Sequence, residues 1–228
     1  MRRTLLRRAS VLLLDYLYAG RYQLRAAFDR STPEAMVAGS GDRAPVVVLP
    51  GIFETWRFLR PLSEHIHAAG HPVHVVTGLE RNRMSVPEAA ALVRRHLEDH
   101  DLTDVVIVAH SKGGLVAKYL MGMPDAGHRI RAVVAVGTPF AGSALARFIP
   151  LPSVRALTPS APEVRRLALS QAANARIVSV WGWFDPHVPG GSRLEGARNI
   201  ELEVGGHFRI LARPELLSIV DGVLAGGR

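Results

Sequence analysis

Hydrophobic and polar positions fall into alternating blocks along most of the chain. From residue 46 onward, six apolar runs, Val46–Leu49, Pro72–Val76, Val105–Ala109, Ile130–Val136, Ile177–Trp181 and Asn199–Val204, predict six strands. Helical patterns separate them. One starts near Arg60, with Leu59, Leu62 and Ile66 spaced for burial, Pro61 suited to its first turn and Gly70 to its C-terminal cap. Others cover Pro87–Glu98, Lys112–Met121 and Pro214–Leu224. Strands alternating with helices predict an α/β fold, a mostly parallel sheet with helices on both faces. Residues 140–175 are the longest break in the alternation, and they read as a short cap in which Phe148, Ile149, Leu151, Val154 and Leu157 cover a pocket.

The first 45 residues follow a different pattern. Residues 4–19 have the basic start and apolar run of a signal peptide, but Asp15 interrupts the run and no clear cleavage site follows. Wound as a helix, they place Leu5, Ala9, Leu12, Leu13, Tyr16 and Leu17 on one face and Arg7, Arg8, Ser10 and Asp15 opposite, with Val11 and Leu14 off the stripe. The expectation is a helix packed by its leucines on the rest of the chain. The alternative is a basic helix lying on an anionic lipid surface, a peripheral membrane contact through residues 1–28. Residues 31–44 are small and polar and read as a linker or loop. The expected division is therefore a basic N-terminal helix and linker, 1–45, followed by a catalytic domain, 46–228.

Composition narrows the function classes. The 228 residues are 48% hydrophobic, enough for a sizeable core. Absence of cysteine excludes disulfides, thiolate metal sites and a cysteine nucleophile. The formal charge is +8. Residues 1–30 hold seven arginines against Asp15 and Asp29, so +5 of it lies in the N-terminal arm, and the near-balanced remainder argues against nucleic acid as a partner. The interrupted apolar run is a poor export signal, so the expected place is the cytoplasm, at or near the inner membrane face. His65, His67, His71 and His74 are too poorly spaced for a metal site, and no cofactor is expected.

The candidate chemistry centres on Asp104–Gly114, where a β-branched run breaks into His110-Ser111-Lys112-Gly113-Gly114. A serine on a sharp strand-to-helix turn is lifted to where a base can reach its proton, and such a turn needs small neighbours, here Ala109 and Gly113. The bland alternative is that Ser111 only caps the helix that follows. Asp185, in Asp185-Pro186-His187-Val188-Pro189, ends a strand and can orient an imidazole, or simply form a turn. His207 follows the last strand through Gly205-Gly206 and is the candidate base. His187 is set aside as too close in sequence to Asp185 to pair with it, and His128 as a loop residue. Glu195, Glu201 and Glu203 fall in a glycine-rich loop or within a strand.

The motif A-x-S-x-G at Ala109–Gly113 resembles the nucleophile elbow of the α/β-hydrolase superfamily, in the alanine form of some small bacterial lipases. The order Ser111, Asp185, His207 and the turn Gly137-Thr138-Pro139-Phe140-Ala141-Gly142-Ser143 are similar too. This resemblance implies a minimal α/β-hydrolase fold and a serine hydrolase acting on carboxylic esters, with those three residues as its triad. It also implies an oxyanion hole from the backbone N–H groups of Lys112 and of Ile52, in Pro50-Gly51-Ile52, where proline replaces the usual histidine. Phe53, Phe140, Trp183, Phe184 and Phe208 lie close in sequence to these residues, and suggest an apolar pocket for a small hydrophobic ester or lipid substrate; ordinary packing of the rings is the competing explanation. Acyl transfer by the same groups, and a non-catalytic membrane-associated module, stay open as alternatives, as does the oligomeric state.

Overall fold

The computed structural model describes residues 2–37 and 43–227. Of the expected 31–44 linker, residues 33–36 form a 3-10 turn, and 38–42 lie outside the described residues. The order is α1 (Arg2–Phe28), β1 (Val46–Leu49), α2 (Arg60–Ala68), β2 (Val73–Val75), α3 (Val86–Asp99), β3 (Val105–His110), α4 (Lys112–Met121), α5 (Pro124–Gly127), β4 (Ile130–Val136), α6 (Pro152–Arg155), α7 (Pro162–Leu169), β5 (Ile177–Gly182), β6 (Arg198–Leu202) and α8 (Pro214–Leu224).

The six strands form one sheet in the order β2-β1-β3-β4-β5-β6, with every pairing parallel. Strands β1 and β3 are buried along their whole length, as the β-branched runs require when helices cover both faces. Alternate side chains feed two cores. Val47, Leu49, Ile107, Ala109, Val133 and Ala135 pack with α3, α4 and the cap, whereas Val46, Val48, Val106, Val108, Val134 and Val136 pack with α2 and α8. Register then sets the site: Leu49 pairs with Ala109, His110 with Val136, and Val136 with Val180, so the loops after β1, β3, β4 and β5 leave from one end of the sheet.

Strand β6 ends at Leu202, short of the expected Val204, and α1 runs well past the expected residue 19. The larger correction concerns which side of α1 is inside. Asp15 and Val11 are buried, while Leu5, Leu13, Tyr16 and Leu17 of the expected buried stripe are 53–62% exposed. The helix does pack on the rest of the chain, but through the opposite face. Tyr18 and Tyr22 meet Phe58 edge-on, and Val11 lies against Gly205, where a Cβ would sit 2.9 Å from its methyl groups.

Candidate active site

Ser111 sits at the break between β3 and α4 with φ 51° and ψ −120°, a conformation that L-residues adopt only under restraint. Its N–H continues the sheet by donating to Val136 O at 2.8 Å. The turn closes because Gly113 and Gly114 follow it: a Cβ on Gly113 would collide with the Leu49 carbonyl, and one on Gly114 with Thr138. Ser111 does not cap α4 through its side chain, which leaves the hydroxyl facing a pocket.

Asp185 and His207 come together from the loops after β5 and β6. The Nδ1 of His207 lies 2.7 Å from Asp185 Oδ2, and both side chains are buried. Asp185 Oδ1 accepts from the N–H groups of His187 and Val188 at 2.7 and 2.9 Å, which aims the other oxygen at the imidazole. Burial alone would raise the Asp185 pKa; His207, by charge and hydrogen bond, and the two N–H donors outweigh it and hold the carboxyl below its ordinary range. The expected Gly137 turn lies against this pair, since a Cβ on Gly137 would stand 3.2 Å from His207 Nδ1. Ser111 and His207 line the same pocket, although no hydrogen bond joins them among the described residues.

The loop after β1 also reaches the serine: a Cβ on Gly51 would lie 3.1 Å from Ser111 Cβ. Gly51 N–H donates to Glu54 and Phe53 N–H to Arg81 O, which leaves Ile52 N–H with no protein acceptor among the described residues. The N–H of Lys112, first in α4, has no intrahelical acceptor. The Lys112 side chain is buried, and its ammonium donates to the carbonyls of Asn82, at 2.8 Å, and Met84. Asn82 in turn donates to Pro50 O at 2.8 Å, so this lysine props the loop that carries Ile52. Burial lowers its pKa to about 8.

Three polar residues that the sequence did not single out complete the framework. Asp15 of α1 accepts the N–H groups of His207, Phe208 and Arg209 at 2.9, 2.9 and 2.8 Å. Gly206 permits this approach, because a Cβ there would strike the Asp15 carboxylate. His110, fully buried, faces the Glu54 carboxylate at 2.8 Å with Nδ1 and the His207 carbonyl at 3.0 Å with Nε2. Both ring nitrogens meet acceptors, so both carry protons. Burial works against that charge, but Glu54 and the His207 carbonyl overcome it and raise the His110 pKa. The only sequence signals were a charge interrupting an apolar run, an acid three residues after Gly51 and a histidine preceding the serine.

The pocket measures about 380 Å³. Of the five aromatic residues expected in it, Phe53 and Phe208 line it. Phe140 does not: it is buried in the core beside Lys118, whose ammonium lies 5.7 Å from its ring. Trp183 and Phe184 turn away from the pocket and stack under the Arg7 and Arg8 guanidiniums of α1 at 4.2 and 5.1 Å. Nearness in sequence misled there, because both rings pack against α1 instead of the pocket. The cap contributes Leu145, Ala146, Ile149, Val154 and Leu157, while Phe148 is exposed. His187, set aside in sequence, stacks on His207 at 4.7 Å and lines the pocket; burial first, and the neighbouring His207 second, lower its pKa to about 4.

Residues 81–180, less than half of the chain, match the model of the PGAP1-like alpha/beta domain. Several solved structures are similar over more of it. A Bacillus licheniformis lipase in mature form is 16% identical with a TM-score of 0.61, over 82% of this chain and 95% of its own. An extracellular α/β-hydrolase from a Paenibacillus species is 18% identical with a TM-score of 0.54, over 81% and 99%. Mouse alpha/beta hydrolase domain-containing protein 10 is 14% identical with a TM-score of 0.59, over 82% and 92%. At such identities the shared property is the fold, and the fold of this chain is that of the α/β-hydrolases.

Proposed function

We propose that the protein is a serine hydrolase that cleaves carboxylic esters with a hydrophobic acyl group. The observation that carries this reading is the buried Asp185–His207 pair, 2.7 Å apart, beside a pocket that also holds a serine in a left-handed turn. Ser111 Oγ attacks the ester carbonyl carbon as its proton passes to His207 Nε2, while Asp185 holds the Nδ1 proton and stabilises the imidazolium. The carbonyl oxygen, now an anion, accepts from the N–H groups of Ile52 and Lys112. Collapse expels the alcohol, which takes the proton from Nε2 and leaves an acyl group on Ser111. Water attacks the acyl carbon, gives its proton to the same nitrogen, and frees the acid.

His187 is neutral at neutral pH and serves as a wall of the pocket rather than as the base. Ile52, Phe53, Leu145, Ile149, Val154 and Phe208 give the site its apolar surface, which favours acyl chains over charged groups. Labelling with a fluorophosphonate followed by peptide mapping tests the assignment. The expected result is a single adduct on Ser111, and loss of aryl-ester hydrolysis by at least about a thousandfold in Ser111→Ala. An unlabelled Ser111, or normal hydrolysis by that variant, overturns it.

A further inference from the structure

Helix α1 turns its leucines away from the protein. Leu6, Leu13, Leu17, Leu24 and Phe28, separated by seven, four, seven and four residues, share one face and are 60–82% exposed. An amphipathic helix on a protein surface ordinarily does the reverse and sends its apolar stripe inward. The setting of α1 is nevertheless firm. Turning the leucines inward would pull the buried Asp15 carboxylate out and leave the N–H groups of residues 207–209 without their acceptor. A stripe of this kind, held in water by design of the opposite face, calls for an apolar phase to cover it.

We propose that α1 lies in the plane of an anionic lipid surface, its leucine stripe in the acyl boundary and its arginines on the lipid phosphates. Charge decides for lipid over a second copy of the chain. Arg21 and Arg25 follow one edge of the stripe, Arg30 comes just after the helix, and Arg7, on the same edge, is stacked on Trp183. Among the described residues, Arg21, Arg25 and Arg30 form no ion pair. The only acid within α1 is Asp15, which is buried, and Asp29 is taken by Arg60 at 2.6 Å. A second copy meeting the stripe offers these arginines no exposed counter-charge from its own α1, whereas anionic headgroups do. No described helix is long and apolar enough to cross a membrane, which leaves the in-plane arrangement. Tyr16 and Gln23, beside the stripe, line the pocket together with the exposed Leu145 and Ile149, so a docked helix brings lipid to the pocket rim.

This inference goes beyond ester hydrolysis and does not depend on it. Co-flotation of the full chain with vesicles of phosphatidylcholine, alone or mixed with phosphatidylglycerol, tests it, with no ester turnover in the readout. The full chain is expected to float with the anionic vesicles, at least about tenfold more than with the neutral ones, and to be released by salt. The triple variant L13E/L17E/L24E and the double variant R21E/R25E are each expected to lower the bound fraction about tenfold or more at an unchanged melting temperature. Equal binding to both vesicle types, no binding, or full binding by the triple variant overturns the proposal. So does a full chain that is dimeric by sedimentation and becomes monomeric in the triple variant, which would make a second copy the occupant.

Discussion

The backbone of His207 is held from both sides. Asp15 accepts its N–H, protonated His110 donates to its carbonyl, and Asp185 fixes its ring. Each restraint comes from a different stretch of chain, so the imidazole is positioned by tertiary structure rather than by its own short loop. Removing one restraint tests that statement. Asp15→Ala leaves three N–H groups without their acceptor and is expected to cost about 3 kcal/mol of stability. On the proposed mechanism it also lowers kcat more than it raises KM, because the base is displaced while the apolar pocket stays intact. Asp15→Asn keeps an amide oxygen in the same place and should recover part of both. Urea denaturation with steady-state kinetics on an aryl ester checks the pair; equal kcat in Asp15→Ala and the parent would sever the aspartate from the chemistry.

Among the helices, α4 is the most deeply enclosed, with every residue except Tyr119 buried. Its Lys118 is a cost. The ammonium is 3% exposed as a residue, has no hydrogen-bond partner among the described residues and meets only the face of Phe140, so burial lowers its pKa to about 8. Between about pH 8 and 10 the unfolded chain therefore binds more protons at this site than the folded one, and stability at this site rises with pH. Lys118→Met is expected to raise stability by about 1–3 kcal/mol at pH 7, and that advantage should shrink as the pH climbs toward 10. Melting curves of the two proteins across that range measure the difference, which isolates Lys118 from the similarly buried Lys112. The elements themselves were legible because β-branched runs bounded by glycine and proline leave few alternatives to buried strands. The order of serine, acid and histidine was an expectation from the resemblance to α/β-hydrolases, and parallel strands that send their exit loops to one end of the sheet bring Asp185 and His207 together there. Which side of α1 faces inward was not legible. Periodicity gives the axis of an amphipathic helix, and only the N–H groups of residues 207–209, far away in sequence, make Asp15 a core residue. Phe140, Trp183 and Phe184 were misassigned for the same want of direction.

On the scale of the whole molecule, α1 is a wall of the candidate site as well as a surface helix. Val11 closes on Gly205, Tyr18 and Tyr22 flank Phe58, Gln23 reaches Phe53 O, and Tyr16 meets His187 at 3.2 Å. A boundary at residue 46 would cut through all of these contacts. Three lost hydrogen bonds at about 1 kcal/mol each, with the partial burial of a valine and two tyrosines, come to roughly 5 kcal/mol, comparable to the whole stability of a typical domain. The fragment 46–228 is therefore expected to melt far below the full chain, or to be recovered only as aggregate, with Phe58 and Phe208 uncovered. Adding residues 1–30 back as a separate peptide should raise its melting temperature, whereas the same peptide carrying Asp15→Ala should not, because the leucines that remain face the wrong way to dock. A fragment that melts with the full chain and hydrolyses esters at the same rate would make α1 an appendage, and would leave the buried carboxylate of Asp15 without a structural purpose.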